Sequence, residues 1–241
     1  MQTNSKLADE DDSTTGVAAV DRAVKIVAAL EQTPEPVTLS ELSRLTGLYK
    51  STLLRLLASL KRSALVAQRT DGRYVLGPFC ARLGRAFDAG HHLQERVVPV
   101  LHRLVDQGTE SSSFHIRYDD DTRLCLFRVD SSHSTLDSVR AGDLLPIKRG
   151  AAANVIRYYL DNERHNPAQD PLLFLSFGER DALCAGMASP IFGDGGHFVG
   201  ALSLSGPKDR FTDKALKKMS KILLAESKAL TEALGGVWPK K

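Results

Sequence analysis

The chain is poor in cysteine. Cys80, Cys125 and Cys184 are its three cysteines in 241 residues, widely spaced and odd in number. No Cys-x-x-Cys pair or cysteine–histidine spacing suits a metal, and a scattered odd set does not make a disulfide framework. Such usage fits a reducing cytoplasm. No apolar run approaches the roughly 18 to 20 residues that span a bilayer. The first residues lack the charged-then-apolar order of a secretory signal. Enzyme signatures are missing as well: there is no Gly-x-Ser-x-Gly elbow, no metal-ligand cluster and no Gly-Lys-Ser/Thr phosphate loop. Seven histidines are scattered, with only His91 and His92 adjacent. The expectation is a protein that is not an enzyme, with no cofactor, no metal and no membrane partner.

What remains is an ordinary soluble composition on a chain long enough for two modest domains or one large one. Its charge is unevenly placed. Between Arg44 and Arg85 lie nine Lys or Arg and one acid, Asp71, so 9 − 1 = +8, against +3 for the whole chain. Residues 1–16 are polar, with the acidic cluster Asp9–Asp12. They are expected to be a disordered tail, solvated or laid against a basic patch.

The basic stretch has a pattern. Val17, Val20, Val24, Val27 and Leu30 recur at helical spacing and predict a first helix with one apolar face, ended by Pro34 and Pro36. Thr38-Leu39-Ser40-Glu41 has the form of a capping box. Leu39, Leu42 and Leu45 predict the buried edge of a short second helix, and Gly47 supplies the tight turn after it. A third helix is expected from about Lys50 to Arg62, buried through Leu53, Leu56, Leu57 and Leu60. Its other side carries Lys50, Ser51, Thr52, Arg55, Ser59 and Arg62. Short donors followed one turn later by an Arg suit a helix set into the major groove, although a solvated amphipathic helix also carries such a face. Asp71-Gly72 between two strand-like runs predicts a hairpin with Arg69 and Arg73 at its tip, a wing beside the helix. Residues 79–89 read as a connecting helix.

Together, Ala19–Ile26, Thr38–Gly47, Lys50-Ser51-Thr52 leading to Arg55-Leu56-Leu57, and Tyr74-Val75-Leu76-Gly77 resemble the IclR family of bacterial transcriptional regulators. The resemblance implies a winged helix-turn-helix that binds palindromic double-stranded DNA as a homodimer or a dimer of dimers. It also implies that Arg22 and the start of the third helix touch the DNA. The expected DNA-binding set is Arg22, Lys50, Ser51, Thr52, Arg55, Arg69 and Arg73.

The carboxy-terminal half alternates elements differently. His91–Gly108 suits a helix. Phe114–Tyr118 and Arg123–Val129 suit strands around an Asp119-Asp120-Asp121 turn, whose spacing is not that of a calcium loop. Thr135–Arg140 reads as a third strand. Small residues from Gly150 to Ala153 open a helix whose free N–H groups could face an anion, with Lys148 and Arg149 nearby. Close helix packing explains them equally well. Met187–Phe192 and His197–Ser205 form a hairpin, and Ser203 and Ser205 share one strand face that either lines a pocket or meets solvent. Thr212-Asp213 caps a last helix with Leu216, Met219, Leu223 and Leu230 buried.

Leu145-Pro146 before the small-residue helix, Ala188-Ser189-Pro190-Ile191 and Gly200–Pro207 resemble the IclR effector domain. The whole is then a mixed α/β protein: an N-terminal winged helix-turn-helix plus a C-terminal α+β GAF-like domain. The expected division is a tail over 1–16, the DNA-binding domain over 17–77, a linker helix over 78–90, and an effector-binding and oligomerisation domain over 91–241. The resemblance implies a small acidic or aromatic effector held near Ala151, Ala152, Pro190, Ser203 and Ser205, with Glu179 or Asp181 at the family's acidic position. The 161–178 segment is shorter than the family's usual one, and Lys148-Arg149 replaces its usual residues. A winged-helix protein with an enzymatic or ligand-blind second domain is the rival reading.

Overall fold

A computed structural model of the protein describes residues 16–161 and 169–240. The acidic cluster near the start, and part of the short 161–178 segment, lie outside them. The chain divides into two compact units, Met1–His91 and His92–Lys241.

The first unit contains α1 (Ala18–Glu31), α2 (Leu39–Thr46), α3 (Lys50–Arg62), β1 (Val66–Gln68), β2 (Tyr74–Leu76) and α4 (Pro78–His91). Thr38 and Glu41 form the reciprocal cap expected at α2: the Glu41 N–H donates to Thr38 Oγ1 at 3.2 Å, and the Thr38 N–H donates to Glu41 Oε2 at 2.7 Å. Gly47 ends α2 at φ 68°, left-handed backbone that a side chain would strain. The β1–β2 hairpin turns through Gly72 at φ 82°. Val37 bridges the outer side of β2, exchanging two backbone hydrogen bonds with Tyr74. One apolar cluster joins Ile26 and Leu30 of α1, Leu42 of α2, Leu53, Leu57 and Leu60 of α3, and Val37, Val66 and Tyr74 of the sheet.

Two expectations need correction here. α1 buries Ile26 and Leu30, while Val17, Val20 and Val24 are 66%, 57% and 60% exposed. The valines do share helical spacing, but α2 and α3 pack against the neighbouring stripe. Leu45 is also exposed, and the buried residue in its turn is Thr46, whose hydroxyl donates to the Leu42 carbonyl at 2.6 Å.

The second unit contains α5 (Leu93–Asp106), β3 (Ser111–Arg117), β4 (Thr122–Val129), β5 (Leu144–Pro146), α6 (Ala151–Asp161), β6 (Phe174–Phe177), β7 (Cys184–Phe192), β8 (Phe198–Pro207) and α7 (Asp213–Ala233). The six strands form one antiparallel sheet in the order β5-β4-β3-β8-β7-β6. Period-two alternation sends Leu202 and Leu204 of β8 to one face, under α5 and α7, and Ala201 to the other, under α6. Each face therefore has its own helical cover.

Thr135–Arg140 is not a strand. Its polar groups are held by side chains instead of by a neighbouring ladder: Arg210 donates to the Thr135 carbonyl at 2.6 Å, and the Asp137 carboxylate is drawn inward onto arginines. Pairing with β4 is made further along, by Leu144–Pro146. β6 escaped the sequence reading because Phe174–Phe177 is short and lies within the unusual 161–178 segment.

Candidate functional site

In the first unit, α3 presents Lys50, Ser51 and Arg55 to solvent, with Thr52 half-buried beside them. The leucines on the opposite side fix this rotation: Leu53, Leu57 and Leu60 recur at intervals of four and three and are all buried. Arg62 donates to the Ser59 hydroxyl at 3.3 Å, and Lys61 to Gln68 at 2.7 Å, so these two are partly engaged within the unit. Lys50 and Arg55 make no ion pair among the described residues. Arg69 and Arg73 are exposed on the hairpin, and Arg73 is steadied by the Pro36 carbonyl at 3.2 Å. Arg22 is exposed on α1. The arrangement offers cations and hydroxyls at one helix start with two more cations on a wing, the form in which duplex DNA is gripped.

Tyr49 escaped the sequence reading. It stands immediately before α3, is 83% exposed and makes no capping bond. Its place outside the leucine repeat was the available signal.

In the second unit, a small cavity of about 50 Å³ opens on the α6 face of the sheet. It brings together Ala151, Ala152, Asp181, Ser203 and Ser205 from the expected effector set. Ser203 is buried and Ser205 half-buried, so this strand face is cavity wall and not open surface. Pro190 of β7 pairs with Ala201 of β8 and is not part of the wall. Glu179 lies outside it too: its carboxylate accepts from the Gly150 N–H at 3.0 Å and lies 3.4 Å from Asn154 Nδ2. The α6 start that looked open to an anion already holds one of the chain's own. Lys148 and Arg149 point outward, Lys148 toward Asp121 at 3.6 Å.

The cavity wall carries Arg123 from β4 together with Arg180, Asp137 and Asp181. Arg123 is 3% exposed and forms part of the wall; its Nη1 donates to the Pro146 and Arg149 carbonyls. Burial, then the neighbouring Arg180, pulls its pKa down to about 10. Arg128, five residues on, donates to Asp137 at 2.5 Å and to Asp130 at 2.7 Å. It also reaches Ser205 at 3.5 Å. Arg180 meets the other Asp137 oxygen at 3.2 Å, and the Asp137 side chain is fully buried. His115 faces the same space; burial, with Arg123, Arg128 and Arg180 around it, holds its pKa well below the usual histidine value, so the ring is neutral.

The alternation rule hides this pairing of arginines, because residues five apart on a regular strand point to opposite faces. On β4, Phe127 pairs with Phe114 but Cys125 pairs with His115, which leaves Leu126 as one extra residue. That bulge turns the strand so that Arg123 and Arg128 serve the same side. Cys125 is buried beside them, and burial raises its thiol to about 12, which makes it inert.

Comparison with known proteins supports both units. The model of the IclR helix-turn-helix domain matches residues 19–70. The transcriptional repressor IclR of Escherichia coli K12 is 22% identical over 250 residues, covering 92% of this chain and 91% of the repressor. A transcriptional regulator from Silicibacter sp. TM1040 superposes with a TM-score of 0.75 at 24% identity, over 92% of this chain and 98% of that one. An IclR homologue from Microbacterium hydrocarbonoxydans, solved with 4-hydroxybenzoate, superposes with a TM-score of 0.73 at 16% identity, over 90% and 100% of the two chains. With an IclR-type helix-turn-helix over residues 19–70 and a second unit of the same sheet-and-helix fold, the chain is similar to IclR-family transcriptional regulators over most of its length.

Proposed function

We propose that the protein is a sequence-specific DNA-binding regulator whose grip on its operator is set by a small acid held in the second unit. The observation that carries the reading is the exposed start of α3, where Lys50, Ser51 and Arg55 stand clear of a leucine-packed core beside a basic wing. In this reading Arg55 reads a base edge in the major groove. Lys50, Ser51 and Thr52 fix the helix against the backbone, Arg22 adds a contact from α1, and Arg69 and Arg73 hold phosphates.

A palindromic operator calls for two copies, with half-sites one or two helical turns apart. The valine stripe of α1 offers a second copy an apolar surface, which supports a homodimer. The relative bound to 4-hydroxybenzoate supports an organic acid as effector. Such a ligand shifts DNA affinity only by favouring one arrangement of the paired DNA-binding units. The protein would act in the cytoplasm, where its DNA lies and where its free thiols stay reduced.

The test is competition between operator and random DNA as salt rises. A specific binder keeps a large preference as the shared electrostatic part weakens. Arg55→Ala is expected to relax base preference at a cost of about 1–3 kcal/mol. Arg73→Ala is expected to weaken all sequences alike and flatten the salt slope by about one. Equal effects from the two would undo the division of roles, and no preference over random DNA would undo the reading.

A further inference from the structure

The cavity contains two guanidinium stations, and only one has its counter-charge. At the first, Arg128 and Arg180 share the buried carboxylate of Asp137, at 2.5 and 3.2 Å. Asp137 reaches them from the irregular 130–143 segment, so the chain itself supplies that anion. At the second, Arg123 is 3% exposed and has no ion pair among the described residues. Its Nη1 is satisfied by two carbonyls, while its Nε is buried with no hydrogen-bond partner. His115, 4% exposed, leaves a buried Nδ1 without a partner on the same wall. A buried guanidinium lacking both a counter-ion and one of its bonds is costly unless something occupies the space before it.

We infer that Arg123, with His115 beside it, is the anchor for the carboxylate of the effector, and that Asp137 restricts the cavity to acids with a single charge. This rests on the effector reading above and deepens it. Arg123 can form charge-assisted bonds to the incoming carboxylate, and the neutral imidazole can supply a further hydrogen bond. Asp137 already neutralises the other station, so a second ligand carboxylate would meet an occupied site and a like charge. Size points the same way: about 50 Å³ is room for about four waters, which suits an acid with a short aliphatic stem. The helix start at Gly150 is not the anchor, because Glu179 already occupies it.

Calorimetric titration of the full-length protein with propionate, propionamide and succinate tests this. The wild type is expected to bind propionate in preference to both others. Arg123→Gln is expected to lose about tenfold or more of the preference for propionate over its amide. Loss of packing alone would lower both alike. If Arg123→Gln does not fold, Arg123→Lys carries the test: it keeps the charge, loses the planar fork, and is expected to weaken propionate several-fold. Asp137→Asn frees the first station and is expected to shift preference toward succinate.

Propionate binding with undiminished acid preference in the Arg123 variants would overturn the anchor and leave the effector reading standing. Unchanged rejection of succinate by Asp137→Asn would overturn the role of Asp137. No binding of propionate to the wild type would overturn the inference itself, while the DNA competition above judges the regulator reading separately.

Discussion

His115 illustrates how a single residue acquires its behaviour from its surroundings. It lies on β3 opposite Cys125, buried and ringed by three arginines, and its pKa falls well below the ordinary value. The sign follows directly. The folded state keeps the ring neutral, while the unfolded chain takes up a proton below about pH 6.5, so stability is fully present above that value and is lost as pH falls. From pH 7 to pH 5 this one group is expected to lower the stability of the fold. Urea unfolding at the two pH values, in wild type and His115→Gln, measures it. The variant is expected to show the smaller difference, and equal differences would mean that His115 is protonated in the fold.

At the scale of elements, the amino-terminal unit depends on local signals that agree with its packing. The Thr38–Glu41 box starts α2, Gly47 ends it, and α3 follows at once. The Glu41 carboxyl is held below the usual range by the Thr38 N–H and then by its hydroxyl. Thr38→Ala is expected to cost about 1 kcal/mol of this unit's stability. Its unfolding midpoint, followed by circular dichroism at the helix wavelength, should fall accordingly. An unchanged midpoint would show that packing alone holds α2 in place. β4 behaves differently, because its extra residue is visible only in the pairing with β3. Without Leu126 the strand would be regular with the two arginines four positions apart and still on one face, so the bulge residue is what reconciles their five-residue spacing with a shared side.

For the whole molecule, the decisive surface is the one that the first unit leaves open. Val17, Val20 and Val24 form an apolar row on a helix whose other side is already packed. Val20→Asp with Val24→Asp is expected to give a monomer by sedimentation. Operator affinity should then drop by about 10²-fold or more, because two linked half-site contacts become one. A double variant that remains dimeric and binds as tightly would remove α1 from the interface. Among the described residues no helix is long and apolar enough to cross a membrane, and no group of three His, Cys, Asp or Glu could hold a metal ion.

The sequence by itself determined the winged helix-turn-helix. Its signals are local: a cap and a turn glycine each act within a few residues, and the leucine repeat of α3 fixes which side faces out. The presence of Arg55 and the wing arginines in the candidate site was legible for that reason, as was the row of Ser203 and Ser205. Which apolar stripe of α1 is buried was not legible, since two stripes compete and only the positions of α2 and α3 choose between them. The second unit's charges were likewise decided by tertiary structure. A bulge on β4 and an irregular segment bearing Asp137 gather Arg123, Arg128 and Arg180 from distant positions, and strand periodicity places the first two on opposite faces. Local chemistry wrote the DNA-binding unit into the sequence, whereas long-range pairing decided the cavity.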